Sequence, residues 1–312
     1  MRHFPRPRQR GAALLTAMII VTLVATLSAA MVWQQWRAVQ VESAERARAQ
    51  SAWILSGALD FAKLILREDA RSRNAYTALT EPWATPLAES RLSTFLAVDK
   101  SNTDDGPEAF LSGNIIDAQA RYNLTNLVDA GKVVPEEVAT LERLCQAVGI
   151  ETGIAMRIAT GLRDAIAATS ASARLKPESV AQLTWLGIDE ASVQALTPYV
   201  VLLPVQTPVN VNTAPAEVLS AAVKNLDGST AEHLVQMRQR TPFKTLSDFT
   251  GQIPTLTVAS KLAVRSDYFE VRGRLRLVDH VLVERSLLRR EVNGTSTVLL
   301  RQRISSLEQA GG

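Results

Sequence analysis

The hydrophobic pattern of this chain changes character three times. From Gly11 to Trp36 no charged residue occurs, and Ala12 to Trp33 is almost wholly apolar. A helix needs about 20 such residues to cross a bilayer, so this run is long enough. Beyond Arg37 the stretch "VESAERARAQSAWILSGALDFAKLILREDARSR" turns amphipathic. Trp53, Gly57, Phe61 and Ile65 recur every four residues, with Ile54, Ala58 and Leu64 beside them, which predicts one buried helical face. The stretch contains no proline, so a single helix is expected from about Ala12 to about Arg71, roughly 90 Å at the standard rise. Pro82 and Pro86 then mark a loop.

A second regime runs from about Asn126 to Ser266. Short helical periods appear in "PEEVATLERLCQAVGI", "GIAMRIATGLRDAIAAT", "KPESVAQLTWLGI", "DEASVQALTPYVVLL" and "APAEVLSAAVKNL". Several open on helix-start signals, as at Pro135-Glu136-Glu137, Pro177-Glu178 and Asp189-Glu190. In the third regime Phe269, Val271, Gly273, Leu275 and Leu277 alternate with Glu270, Arg272, Arg274 and Arg276, a period of two. "VDHVLVERSLLRREV" and "TSTVLLRQRIS" supply further strands, and Asn293-Gly294 between them is a hairpin signal. The order of elements is that of an α+β protein with helices inserted between strands.

Charge sharpens this picture. The chain of 312 residues carries a formal net charge of +3. Arg2, Arg6, Arg8 and Arg10 precede Gly11 with no acid among them, so the chain after Gly11 is at −1. The positive end predicts a cytoplasmic N-terminus, a single membrane pass and the rest on the far side. Trp33 and Trp36 sit where aromatic rings favour the interface. A cleaved signal peptide would have a shorter apolar core and a small-x-small site such as "TLSAAM"; here the apolar run is long and the helical pattern continues past it. The single cysteine, Cys145, shares a helical face with Leu141, Leu144 and Val148 and reads as a small buried hydrophobe.

The basic leader ending in Gly11, followed by the long apolar helix, resembles the type IV pilin superfamily. That resemblance implies cleavage by a prepilin peptidase between Gly11 and Ala12, methylation of Ala12, and a retained helix that first faces lipid and then sister subunits. The fifth mature residue in most pilins is glutamate; here it is Thr16. Its absence resembles the K-type minor pseudopilins of type II secretion. Asp117 with Arg121, Tyr122, Asn123, Leu124, Asn126 and Leu127 matches a motif of that family, although Ala120 and Thr125 depart from it. The run "VNVNTA" (Val209 to Ala214) is similar to another.

The resemblance implies a pilin-like fold with a long N-terminal transmembrane helix, an antiparallel sheet and an inserted α-helical domain of helix-hairpin-helix or SAM-like type. The expected divisions are a leader at 1–11, a transmembrane helix at 12–36, pilin-like parts at 37–125 and 267–312, and the insertion at 126–266. It further implies a non-enzymatic subunit at the tip of an inner-membrane pseudopilus, with a periplasmic C-terminal domain. The implied partners are I- and J-type minor pseudopilins, the major pseudopilin, the inner-membrane secretion platform, prepilin peptidase and the bilayer. The alternative is a minor pilin of a type IV pilus or competence system touching DNA.

Candidate chemistry is sparse. His3, His233 and His280 have no partners at metal-ligand spacing, and no phosphate loop or serine elbow occurs. "VNVNTAPAEVLSAAV" and "TPFKTLSDFTGQIPTL" resemble helix-hairpin-helix units, but the first has no lysine or arginine, so nucleic acid is not expected as a partner. Relatives in the family bind calcium. Here Asp164 and Glu178 are all that remain of the family's acidic run, and Asp99, Asp104, Asp105 and Glu108 in "AVDKSNTDDGPEAF" are the candidate ligands, with a solvated loop as the simpler reading. The arginine row with Glu270, Asp279, Glu284 and Glu291 reads as the solvated face of a sheet.

Overall fold

The computed structural model describes residues 10–71, 75–92, 109–167, 175–253, 257–258, 261–277, 280–291 and 293–306. The chain divides into two compact units, Met1–Ile54 and Leu55–Gly312. Helix α1 spans Arg10–Arg71. In the first unit its apolar side chains stand in the open; Leu14, Ile19, Leu27 and Trp33 are each more than half exposed. It is the one helix among the described residues long and apolar enough to cross a membrane.

The second unit is built on a five-stranded antiparallel sheet, β1 (Leu87–Arg91), β2 (Ala109–Asp117), β3 (Tyr268–Leu277), β4 (His280–Arg290) and β5 (Ser296–Ser306), in that spatial order. The last turns of α1 lie against one face. Leu59, Ala62 and Leu66 meet Trp83, Ile115, Phe269, Val271 and Leu288 there. Each fully buried leucine of this kind is worth about 1.5–3 kcal/mol. Trp83 meets Phe269 edge to face at 5.3 Å, and its Nε1 donates to Glu81 Oε2 at 2.9 Å.

The buried stripe is not the expected one. Leu55, Leu59, Ala62 and Leu66 are buried, whereas Trp53 is 80% exposed and Gly57, Phe61 and Leu64 also face outward. The reason is geometric. A strict spacing of four drifts by about 40° per step on a helix of 3.6 residues per turn, while the 4-3-4 spacing of the leucine stripe holds one line.

Two glycines permit close approach. A Cβ on Gly113 would stand 2.6 Å from the Arg272 carbonyl oxygen of the neighbouring strand. Gly294 closes the β4–β5 turn with φ +82, and its N–H donates to Glu291 O at 2.8 Å. Asn293 Oδ1 accepts from Thr295 N in the same turn.

Asp117 at the end of β2 and Phe269 at the start of β3 are register partners. Residues 118–267 therefore leave and return at one end of the sheet. They form α2 (Pro135–Ala147), α3 (Gly153–Ala167), α4 (Glu190–Leu196), α5 (Ala216–Ala222), α6 (Gly228–Arg240) and α7 (Leu246–Thr250) around a separate apolar core. "KPESVAQLTWLGI" becomes a 3₁₀ helix, Val180–Leu186, held at its start by a Ser179–Gln182 capping box and stopped by left-handed Gly187. Cys145 is fully buried, and burial pushes its thiol up to about 11, which leaves it unreactive.

The arginine row is also not a simple solvated face. Glu270 and Glu284 are 2% and 3% exposed. Glu270 is ringed by Arg121, Arg272 and Arg285 at 2.6–2.7 Å, and Glu284 by Arg301 and Arg303. The long arginine stems fold over the carboxylates and take them out of water. Burial works to raise the Glu270 pKa, but Arg121 and Arg285 overcome it and hold the carboxyl down at about 2. Glu291 is half-buried, and Asp279 lies outside the described residues.

Candidate functional site

Gly11 and Ala12 lie in the first turn of α1. Four residues on, Thr16 Oγ1 donates to Ala12 O at 3.0 Å and lies 2.9 Å from Ala13 O. Thr22 and Thr26 bond back in the same way, to Met18 and Ile19 and to Leu23. Every threonine hydroxyl in the apolar run thus has an acceptor inside its own helix. An apolar solvent asks for that arrangement, because there is no water to serve the group instead. A carboxylate at position 16 would need a partner from elsewhere; a threonine does not.

The calcium candidates Asp99, Asp104, Asp105 and Glu108 lie outside the described residues. Among the described residues no group of three His, Cys, Asp or Glu side chains is placed to hold a metal ion. Asp164 pairs with its neighbour Arg163 at 2.8 Å on the outside of α3. His233 is exposed on α6, and the side chain of His280 is outside the described set.

The two sequence motifs come together where the helices meet the sheet. Asp117 is fully buried, yet its carboxylate accepts from Gln119 N, Asn210 Nδ2, Thr213 Oγ1 and Ser266 Oγ at 2.6–2.9 Å. Burial raises its pKa, and these four donors work against that rise. Asn210 Nδ2 also reaches Thr77 O, and Arg290 donates to Thr77 Oγ1, Ser266 O and Asp69. Asn123 accepts from Thr125 N and Leu203 N and donates to Val205 O and Thr207 Oγ1. Asn126 forms a two-way pair with the Thr207 backbone. Asparagine suits these places because one side chain offers both an acceptor and donors. The junction is a structural lock, since buried polar groups cost least when each has its partner.

The sequence drew attention to Asp117, Asn123, Asn126 and the "VNVNTA" run. It missed Thr77, Ser266 and Arg290, which stand in unremarkable stretches. Nothing but long-range contact connects them to Asp117.

The turn between α6 and α7 shows what its backbone amides do. Phe243 N donates to Asn212 Oδ1, and Lys244 N and Thr245 N donate to Asp248 Oδ2, all within 3.0 Å. A phosphate cradle needs such amides free; here Asn212 and Asp248 already fill the role.

Two family profiles, both described as type II secretion system (T2SS) protein K, match this chain, one over residues 120–205 and one over 209–272. They cover Arg121 to Leu127 of the first motif, though not Asp117, and the whole "VNVNTA" run. The type II secretion system protein K of Pseudomonas aeruginosa is 30% identical, over 95% of this chain and 93% of that protein. The chain belongs to the type II secretion system protein K family. The Pectobacterium carotovorum protein K is 29% identical over 91% of this chain and 93% of its own length. A chain of the GspK-GspI-GspJ complex from the enterotoxigenic Escherichia coli type 2 secretion system has the same fold, with TM-score 0.64 and 20% identity over 84% of this chain and 99% of that one. In this member of the family, a pilin-like minor pseudopilin, the described polar clusters hold the fold together.

Proposed function

We propose that this chain is a non-enzymatic subunit that initiates or caps the tip of the type II secretion pseudopilus and so serves export of folded proteins. Prepilin peptidase cuts between Gly11 and Ala12, and Ala12 is methylated. The mature chain crosses the inner membrane once, N-terminus cytoplasmic and Leu55–Gly312 periplasmic. It joins I- and J-type minor pseudopilins; the GspK-GspI-GspJ complex of the enterotoxigenic Escherichia coli system is the precedent for that trio. The major pseudopilin and the secretion platform complete its surroundings.

One observation carries the tip reading: residues 118–267 emerge between adjacent strands at a single end of the sheet. Bulk of that size on a small pilin head collides with the next subunit inside a shaft and meets nothing at an end. Thr16 fits the same position, since a first subunit has no earlier terminal amine to neutralise. The occupied amides at 243–245 favour this reading over a DNA-touching competence pilin. Gold labelling of the chain on sheared pseudopili tests the proposal. Label at one end per filament is expected; label spaced along the shaft overturns it.

A further inference from the structure

The two edges of the sheet are built differently. β1 has five residues and a register shift against β2. β5 has eleven residues, and among the described residues all its ladder pairing goes to β4. Its outer edge thus offers about 35 Å of backbone N–H and C=O groups. An exposed edge of that length is a template for another strand.

Three features mark what such a strand would look like. The β4–β5 register slips at Leu287/Leu288, where Val298 faces Leu288 and Leu300 faces Leu287. Leu299 has no partner across the ladder and is 40% exposed. Beside it opens a cavity of about 260 Å³ with a leucine-rich side (Leu202, Leu203, Leu287, Leu299 and Leu300) and a polar side that includes Thr125, Lys176 and Glu178. On the opposite face of the sheet, Arg301 and Arg303 share the single carboxylate of Glu284, with side chains 30% and 45% exposed. Among the described residues, one negative charge there answers two positive ones.

We propose that β5 is the docking edge for an extended segment of another protein, which joins the sheet as a sixth strand. Its side chains alternate: apolar ones turn toward Leu299, Leu300 and the leucine-rich side of that cavity, acidic ones toward Arg301 and Arg303. Main-chain hydrogen bonds supply the affinity, and the alternate side chains supply the choice of partner. A second copy of this chain is a poor occupant. Edge-to-edge pairing would set Arg301 and Arg303 against their own counterparts, and like charges across a ladder repel. The same arginines that guard the edge against copies select an acidic strand.

The test uses the full chain in a neutral detergent and a fluorescent peptide of about eight residues, alternating valine and glutamate with a central leucine. Saturable binding is expected by anisotropy. A valine–lysine peptide should bind at least about tenfold more weakly, and so should the acidic peptide with alternate backbone amides methylated. Leu299→Asp should weaken binding several-fold with an unchanged melting temperature. Equal binding of the acidic and basic peptides, indifference to amide methylation, or no binding overturns the proposal. So does self-association of the chain that Leu299→Asp abolishes, because then the occupant is a second copy.

Discussion

The apolar half of α1 and the junction around Asp117 solve one problem in opposite ways. Both must satisfy polar groups away from water. In Ala12–Trp36 each threonine hydroxyl turns back to a carbonyl three or four residues earlier, and the apolar side chains stay uncovered. At the junction, Asp117 takes hydrogen bonds from Asn210, Thr213 and Ser266, 93 to 149 residues away. The first region is self-sufficient as a helix and needs a surrounding apolar phase. The second has no meaning until distant segments meet. One is satisfied within its own helix, while the other ties distant segments of the head together.

The largest break in this contrast should come from Asp117→Ala. It removes an acceptor shared by several buried donors and is expected to cost about 3–5 kcal/mol. Near-UV dichroism of the full chain in detergent, followed through a urea titration, measures it. A loss below about 1 kcal/mol would mean the junction is not the lock described.

Next come the two faces of α1. Leu66→Ala should destabilise the head by about 2–5 kcal/mol, and Phe61→Ala, on the outer face, by less than about 1 kcal/mol. The same titration reads both, and equal losses would contradict the assigned stripe.

Acid adds a third comparison. The Glu270 pKa of about 2 lies below its ordinary value of 4.5. Its stabilising contribution is therefore complete above about pH 4.5 and lost as pH falls toward 2, at most about 3 kcal/mol. Asp117 has the opposite sign: its pKa is raised, so proton uptake favours the folded state. Glu270→Gln removes only the first effect. Melting temperature against pH should then be flatter in the variant than in the parent between about pH 5 and 2. The smallest effect is expected from Thr16→Val, within about 0.5 kcal/mol, because its hydroxyl serves only its own helix.

Legibility in the sequence followed the range of the interactions. The helix Arg10–Arg71, the strand alternation from Phe269 to Leu277 and the turn at Asn293-Gly294 are local patterns and were readable. The buried face of the amphipathic half was misplaced, because Trp53 and Phe61 are conspicuous residues at a spacing that drifts. Glu270 and Glu284 looked solvated because their covering arginines come from neighbouring strands and from Arg121, 149 residues away. Thr77, Ser266 and Arg290 carried no local signal at all.

The most direct measurement on the central claim is the intact mass of the chain extracted from the membrane. A mature protein beginning at Ala12 and carrying one methyl group is predicted: the leader gone, the apolar helix kept with Thr16 in its first turns. A chain that still begins at Met1, or one cut near Ala30, would contradict the account.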